Sequence, residues 1–465
     1  MVFSSLAFLC VFLPVVFLLY YIVPPMRAKN ILLVIFSLLF YAYGEPVYVL
    51  LMIVSTLLNY GFGLLLREKQ RKSVLFLAVL VNLSFLAVFK YADMMIGSAN
   101  TLFGLQIPLT NIRLPIGISF FTFQAMSYVI DVYRREVGAQ KKYLNVLLFV
   151  SLFPQLIAGP IVKYHDIEDQ IDTRTHDVAR IASGFRRFTW GLAKKVLIAN
   201  TVAVGVDALF AAPTAEINML SAWIAAIGYM LQIYYDFSGY SDMAIGLGHM
   251  FGFTFLENFR YPYGALNIQE FWRKWHISLS TFFKEYMYIP LGGNRKGTLR
   301  TGFNKILVFF ATGLWHGANW TFVVWGCYHG LFLLLEKALP VKKLNKGLGH
   351  IYTLLVVCVG FVIFRADTLA QGVQMIGQMF AGLNFTPYPM GVALEQLTPA
   401  FIAALVIGCI MAFPVLDRIK DKLAAHPNTR KRVEPIAYAC SLAVLVICML
   451  NLSSTTHNPF IYFRF

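Results

Sequence analysis

Charge is scarce in this 465-residue chain: Asp, Glu, Lys and Arg make up 13% of it, against about 25% in an average soluble domain. Internal repeats and low-complexity tracts are also missing, so the sequence gives no sign of the paired halves common in secondary transporters. Cysteine is sparse. Cys10, Cys327, Cys358, Cys409, Cys440 and Cys448 all sit in apolar stretches without a C-x-x-C pair. They read as small buried hydrophobes, which argues against a disulfide framework or a thiolate metal site. No G-x-S-x-G elbow, H-E-x-x-H pair or dinucleotide fingerprint occurs. "LGGNRKG" (291–297) is not a phosphate loop of the Walker A type, because Thr298 follows Gly297 where that motif needs lysine.

What is abundant is apolar sequence, 58% of the residues. Runs near membrane-crossing length recur at 5–23, 74–89, 350–364 and 436–452. Since about 20 apolar residues cross the hydrocarbon core, these runs predict an all-α, polytopic integral membrane protein with roughly ten to twelve spans. The first run has neither a basic leader nor a small-residue cleavage site and reads as a span, not a signal peptide. The chain is expected to form a single membrane domain over 1–465.

The formal charge is +16. In a membrane protein such an excess marks cytoplasmic loops, and this reading displaces nucleic-acid binding. Arg27 and Lys29, then 67–72, 134–142, 174–195 and 417–432, carry the basic residues. Placed in the cytoplasm, they put the N-terminus outside and the tail from Ser453 on the extracytoplasmic side.

Three stretches carry chemistry. The segment 311–339 reads as one hydrophobic span bearing His316 and His329. An imidazole in an apolar wall disfavours its charged form and stays available as a general base, although a hydrogen-bonded structural histidine fits equally well. The polar-aromatic segment 256–303 has seven Lys/Arg and three Glu but no clean span. It predicts short helices that re-enter or line the membrane. Within it, His276 sits among aromatics, and Arg273, Lys274 and Lys284 are candidates for an anionic ligand or for interfacial anchoring. In 234–250, Asp236 and Asp242 interrupt apolar sequence and suggest ion pairs between helices. The chain closes on "NPFIYFRF" (458–465), with four aromatic residues in the last six. Composition alone makes this an interfacial anchor.

Six motifs in order resemble the membrane-bound O-acyltransferase family, more narrowly its bacterial alginate and peptidoglycan O-acetyltransferase branch. They are "LPIGISFFTFQAMSYVIDVYR" (114–134), "FPQLIAGPIV" (153–162), "QIYYDFSGYSDMAIGLG" (232–248), "FWRKWHISLSTFFKEYMYIPLGG" (271–293), "WHGANWTFVVWGCYHG" (315–330) and "FRA" (364–366). The resemblance covers essentially the whole chain. It implies helices around a central tunnel. It also implies acetyl transfer from cytoplasmic acetyl-coenzyme A, with no permanently bound cofactor, to an acceptor on the other face. His316 matches the family's invariant histidine and His276 its second polar position. "FIYFRF" is similar to the aromatic acyl-carrier motif of related enzymes, which makes Tyr462 the implied transient acyl carrier. An extracytoplasmic SGNH-type transferase or esterase is the implied partner, in a bacterial plasma membrane. Two alternatives stay open: a teichoic acid D-alanyl transferase of the same family, and a glycan transporter or flippase.

Overall fold

The computed structural model describes residues 1–465 apart from 158, 383–386, 425–426, 455–457 and 459–465. The described residues form helices joined by turns, with no strand among them. Among the described residues, length and apolarity alone pick out four helices able to cross a membrane: Tyr48–Leu66, Lys72–Phe103, Lys346–Arg365 and Val433–Ser454. Phe8–Ile22 and Pro399–Met411 are shorter apolar helices. Shorter helices also carry polar groups that face protein. Ile118–Arg134, for example, buries Ser119, Thr122, Gln124, Ser127 and Asp131. The all-helical polytopic architecture is the one the sequence predicts, and 256–303 does fold into short helices, Ile268–Lys274 and Ile277–Phe283 among them.

The chain folds as two compact units, one made of Met1–Phe188 with Ser241–Leu256, the other of Thr189–Tyr240 with Glu257–Phe465. In the first, Phe8, Phe12, Phe40 and Phe153 pack with ring centroids 5.4–6.3 Å apart where they touch. Asn59 and Asn82, on neighbouring helices, are both fully buried. Their amides bond reciprocally at 3.0 and 2.8 Å, which satisfies polar groups that lipid would leave bare. Arg187 pairs with Asp242 at 2.8 Å.

Around Tyr20 the first unit gathers several bases. Arg174 Nε donates to the Tyr20 hydroxyl at 2.8 Å, and His176 Nε2 lies 2.8 Å from the same oxygen. Burial, reinforced by the charges of Lys29, Arg174 and Arg180, pulls the His176 imidazole down from 6.5 to about 4. His165 is shifted the opposite way, raised chiefly by its hydrogen bond to Asp131 at 2.9 Å.

In the second unit, Lys195 Nζ meets Asp236 Oδ1 at 2.6 Å, with both side chains no more than 3% exposed. Arg365 pairs with Asp207 at 2.7 Å and lies over the Phe210 ring at 4.8 Å. Asp236 and Asp242 are therefore both ion-paired, as intramembrane carboxylates of a structural kind would be.

These ionisable groups make three predictions. Removing one partner of a buried pair strands the other charge, at a cost of about 3–5 kcal/mol. Asp236→Ala should thus lower the thermal unfolding midpoint sharply in detergent, whereas replacing Lys195 and Asp236 together by Met and Leu should recover most of the loss. Equal midpoints for the single and double variants would contradict this account. His176 stays neutral in the fold where the unfolded chain binds a proton, so its contribution is present above pH 6.5 and is lost as pH falls toward 4. His176→Gln should flatten the fall in unfolding midpoint over that window. His165 has the opposite sign: its contribution is full below its unfolded value of 6.5 and fades as pH rises through the raised folded value. His165→Asn should therefore cost stability on the acid side.

Candidate active site

The stretch read as one span over 311–339 is two helices, Gly297–His316 and Trp320–Ala338, joined by a turn at 317–319. Asn319 starts the second helix, its side chain accepting from the Thr321 amide. Glycine lets the hairpin close. A Cβ on Gly317 would fall 2.2 Å from the Phe322 ring, and one on Gly326 would fall 2.2 Å from the Phe309 carbonyl oxygen. His316 is thus the last residue of one helix, and His329 belongs to the next. The two histidines share a neighbour the sequence did not reveal: the Trp325 ring lies 5.2 Å from each imidazole.

His276 stands between the helices Ile268–Lys274 and Ile277–Phe283 with a left-handed backbone, φ 44° and ψ 56°. Non-glycine residues adopt this region sparingly. Its ring is 6.4 Å from that of His316, centroid to centroid. Phe237 at 4.5 Å and Trp315 at 5.9 Å wall His276, while Trp315, Trp325 and Phe364 surround His316 at 5.0–5.2 Å. His276 is 1% exposed and His316 is 6% exposed. The fold therefore brings together two imidazoles that are forty positions apart in the chain, inside an aromatic enclosure that limits water. At this separation their nitrogens are beyond direct hydrogen bonding to each other.

A further residue, Asn258, also escaped sequence reasoning. Its Oδ1 lies 3.1 Å from His276 Nδ1, and it accepts from the Ser278 amide at 3.1 Å and the Ser278 hydroxyl at 2.9 Å. Only the polar-aromatic character of 256–303 hinted at it.

The basic candidates behave differently. Arg273 and Lys284 are exposed, and Lys274 is ion-paired with Glu270 at 2.7 Å. Tyr462 lies outside the described residues. Among those described, Asp131, Glu136 and His165 are the one group of possible metal ligands. They lie in the first unit and are already engaged by the His165–Asp131 hydrogen bond.

The model of the membrane-bound O-acyltransferase family matches residues 36–340, a stretch that contains both His276 and His316. The chain belongs to this family. As a membrane-bound O-acyltransferase it is an enzyme, and it is similar along its length to curated relatives. It is 41% identical to the probable alginate O-acetylase AlgI of Pseudomonas putida, covering 100% of both chains. It is 36% identical to the peptidoglycan O-acetyltransferase of Helicobacter pylori, over 97% of this chain and 90% of the relative. A teichoic acid D-alanyltransferase of Bacillus subtilis is 26% identical over 54% of this chain and 68% of the relative.

The hairpin turn generates a prediction. Gly317→Ala drives a methyl into the Phe322 ring, an overpacking that costs typically about 1–3 kcal/mol. Its unfolding midpoint should drop, and Phe322→Leu in the same chain should restore part of it. An alanine variant as stable as the parent would show that the turn has slack.

Proposed function

We propose that this O-acyltransferase moves an acetyl group from cytoplasmic acetyl-coenzyme A to the hydroxyl of Tyr462. An extracytoplasmic SGNH-type partner then passes the acetyl on to a cell-envelope or secreted polysaccharide. The observation that carries the proposal is the buried His276–His316 centre with its aromatic wall. Attack of a hydroxyl on a thioester needs a base at the hydroxyl and surroundings that keep water from the acyl group. His316 takes the phenolic proton as the phenolic oxygen bonds to the acyl carbon. The carbon–sulfur bond then breaks, and the thiol leaves with a proton. His276 works beside it.

Three further observations favour an acceptor brought in by the tail. Helix Pro427–Ser454 leads into it. Asn458, at the head of the aromatic motif, accepts a hydrogen bond from Asn200 Nδ2 at 3.1 Å, and Asn200 belongs to the same compact unit as both histidines. Tyr462 follows four residues later, within about 13 Å of extended chain. The Pseudomonas putida and Helicobacter pylori relatives, covered nearly end to end, carry O-acetyl transfer in their names, which favours acetyl over D-alanyl. With the basic loops in the cytoplasm, the last helix runs outward and delivers the tail to the extracytoplasmic side of a bacterial plasma membrane.

The test uses purified protein in nanodiscs with acetyl-coenzyme A labelled in the acetyl group. Free thiol should appear and label should collect on Tyr462. Tyr462→Phe should abolish labelling, and His316→Ala should slow thiol release about 10²–10⁴-fold, the usual worth of a general base. Undiminished labelling in His316→Ala would overturn the base assignment, and a wild-type protein that releases no thiol would overturn the donor.

A further inference from the structure

His276 adopts a backbone conformation that a non-glycine residue holds only when its surroundings fix it. Segment 258–260 supplies the fixing. The Asn258 carbonyl accepts from the Ile277 amide at 2.9 Å, and the Arg260 amide donates to the Lys274 carbonyl at 3.0 Å. These two backbone bonds clamp the turn on either side of His276. The Asn258 side chain, 1% exposed, then closes on the imidazole itself.

The orientation of that amide is dictated by the backbone. A main-chain N–H can only donate, so the Asn258 atom facing the Ser278 amide at 3.1 Å has to be the oxygen. The same oxygen lies 3.1 Å from His276 Nδ1. An oxygen acceptor calls for a donor opposite it, so Nδ1 carries the proton. Nε2 of the neutral ring is then the lone-pair nitrogen. It is buried and has no hydrogen-bond partner among the described residues.

We propose that Asn258 is a positioning residue for acyl transfer: it locks His276 in the Nδ1–H tautomer, so that Nε2 receives an O–H or N–H of the bound reactants. This rests on the acetyl-transfer reading above. It gives the two imidazoles distinct duties. His316 removes the phenolic proton, whereas His276 orients a reactant by accepting from it and, while neutral, offers no proton from Nε2 to the developing oxyanion.

The test has a spectroscopic arm and a kinetic arm, both on the full chain in bilayers. With nitrogen-15-labelled histidine, the His276 resonances are identified by their loss in His276→Gln. The wild-type spectrum should show a protonated Nδ1 and a bare Nε2. A protonated Nε2 with a bare Nδ1 overturns the proposal whatever any variant does. Asn258→Leu removes the acceptor while keeping bulk, and should slow thiol release from acetyl-coenzyme A by about 100-fold, the scale of a small misplacement of a reacting group. Asn258→Asp keeps an acceptor oxygen and should restore both the tautomer and most of the rate. Asn258→Leu at the parental rate, or Asn258→Asp no better than Asn258→Leu, overturns the proposal. Should the wild type release no thiol at all, the reaction assignment fails, and the spectrum alone decides the Asn258–His276 lock.

Discussion

A polar group taken out of water must find a partner inside the protein, and in an apolar chain with few charges that demand organises everything else. The Asn59–Asn82 amide pair, the Lys195–Asp236 ion pair and the Arg365–Asp207 contact are three solutions to it. Each joins residues far apart in the chain, so each also fixes which helices lie side by side. Hydrophobic burial is non-directional. It favours compact packing of helices but chooses poorly among rotations and registers, and these pairs supply the choice.

The same demand explains why the histidine centre is informative. His276 and His316 sit within aromatic walls that contribute packing area and few strong acceptors. A buried imidazole gains most when both ring nitrogens find partners. For His276 the fold satisfies Nδ1 through Asn258 and leaves Nε2 without a partner among the described residues. His329 keeps both its nitrogens without a partner among the described residues, so it is the half-satisfied ring of His276, one nitrogen oriented and the other bare, that sets this imidazole apart.

Legibility in the sequence followed the range of the physics. Hydropathy is local, and 74–89, 350–364 and 436–452 fall inside the long apolar helices Lys72–Phe103, Lys346–Arg365 and Val433–Ser454. The turn at 317–319 was not legible, because tryptophan and aliphatic residues flank it on both sides and nothing in composition separates a tight hairpin from a continuous span. What closes it is an absent Cβ at Gly317, whose meaning depends on Phe322 five residues later. Asp236 and Asp242 announced ion pairs but not Lys195 or Arg187, since a carboxylate does not name its partner. His276 and His316 were each visible as candidates through the resemblance. Their proximity was not, and Asn258 could be found only once a backbone amide had oriented it.

The left-handed backbone at His276 ties these strands together. Holding a non-glycine residue there costs free energy of order 1–3 kcal/mol, and a glycine would fold more cheaply. The strain persists because Asn258 and the paired backbone bonds over-determine the turn. What the strain achieves is direction: it turns the imidazole off the ends of two short helices and into the aromatic enclosure, 6.4 Å from the ring of His316. Two long helices could present facing imidazoles only at intervals set by the helical repeat. Breaking the segment into Ile268–Lys274 and Ile277–Phe283 frees His276 from that repeat, which is why a pair of facing imidazoles favours short interrupted helices where hydropathy would have asked for a span.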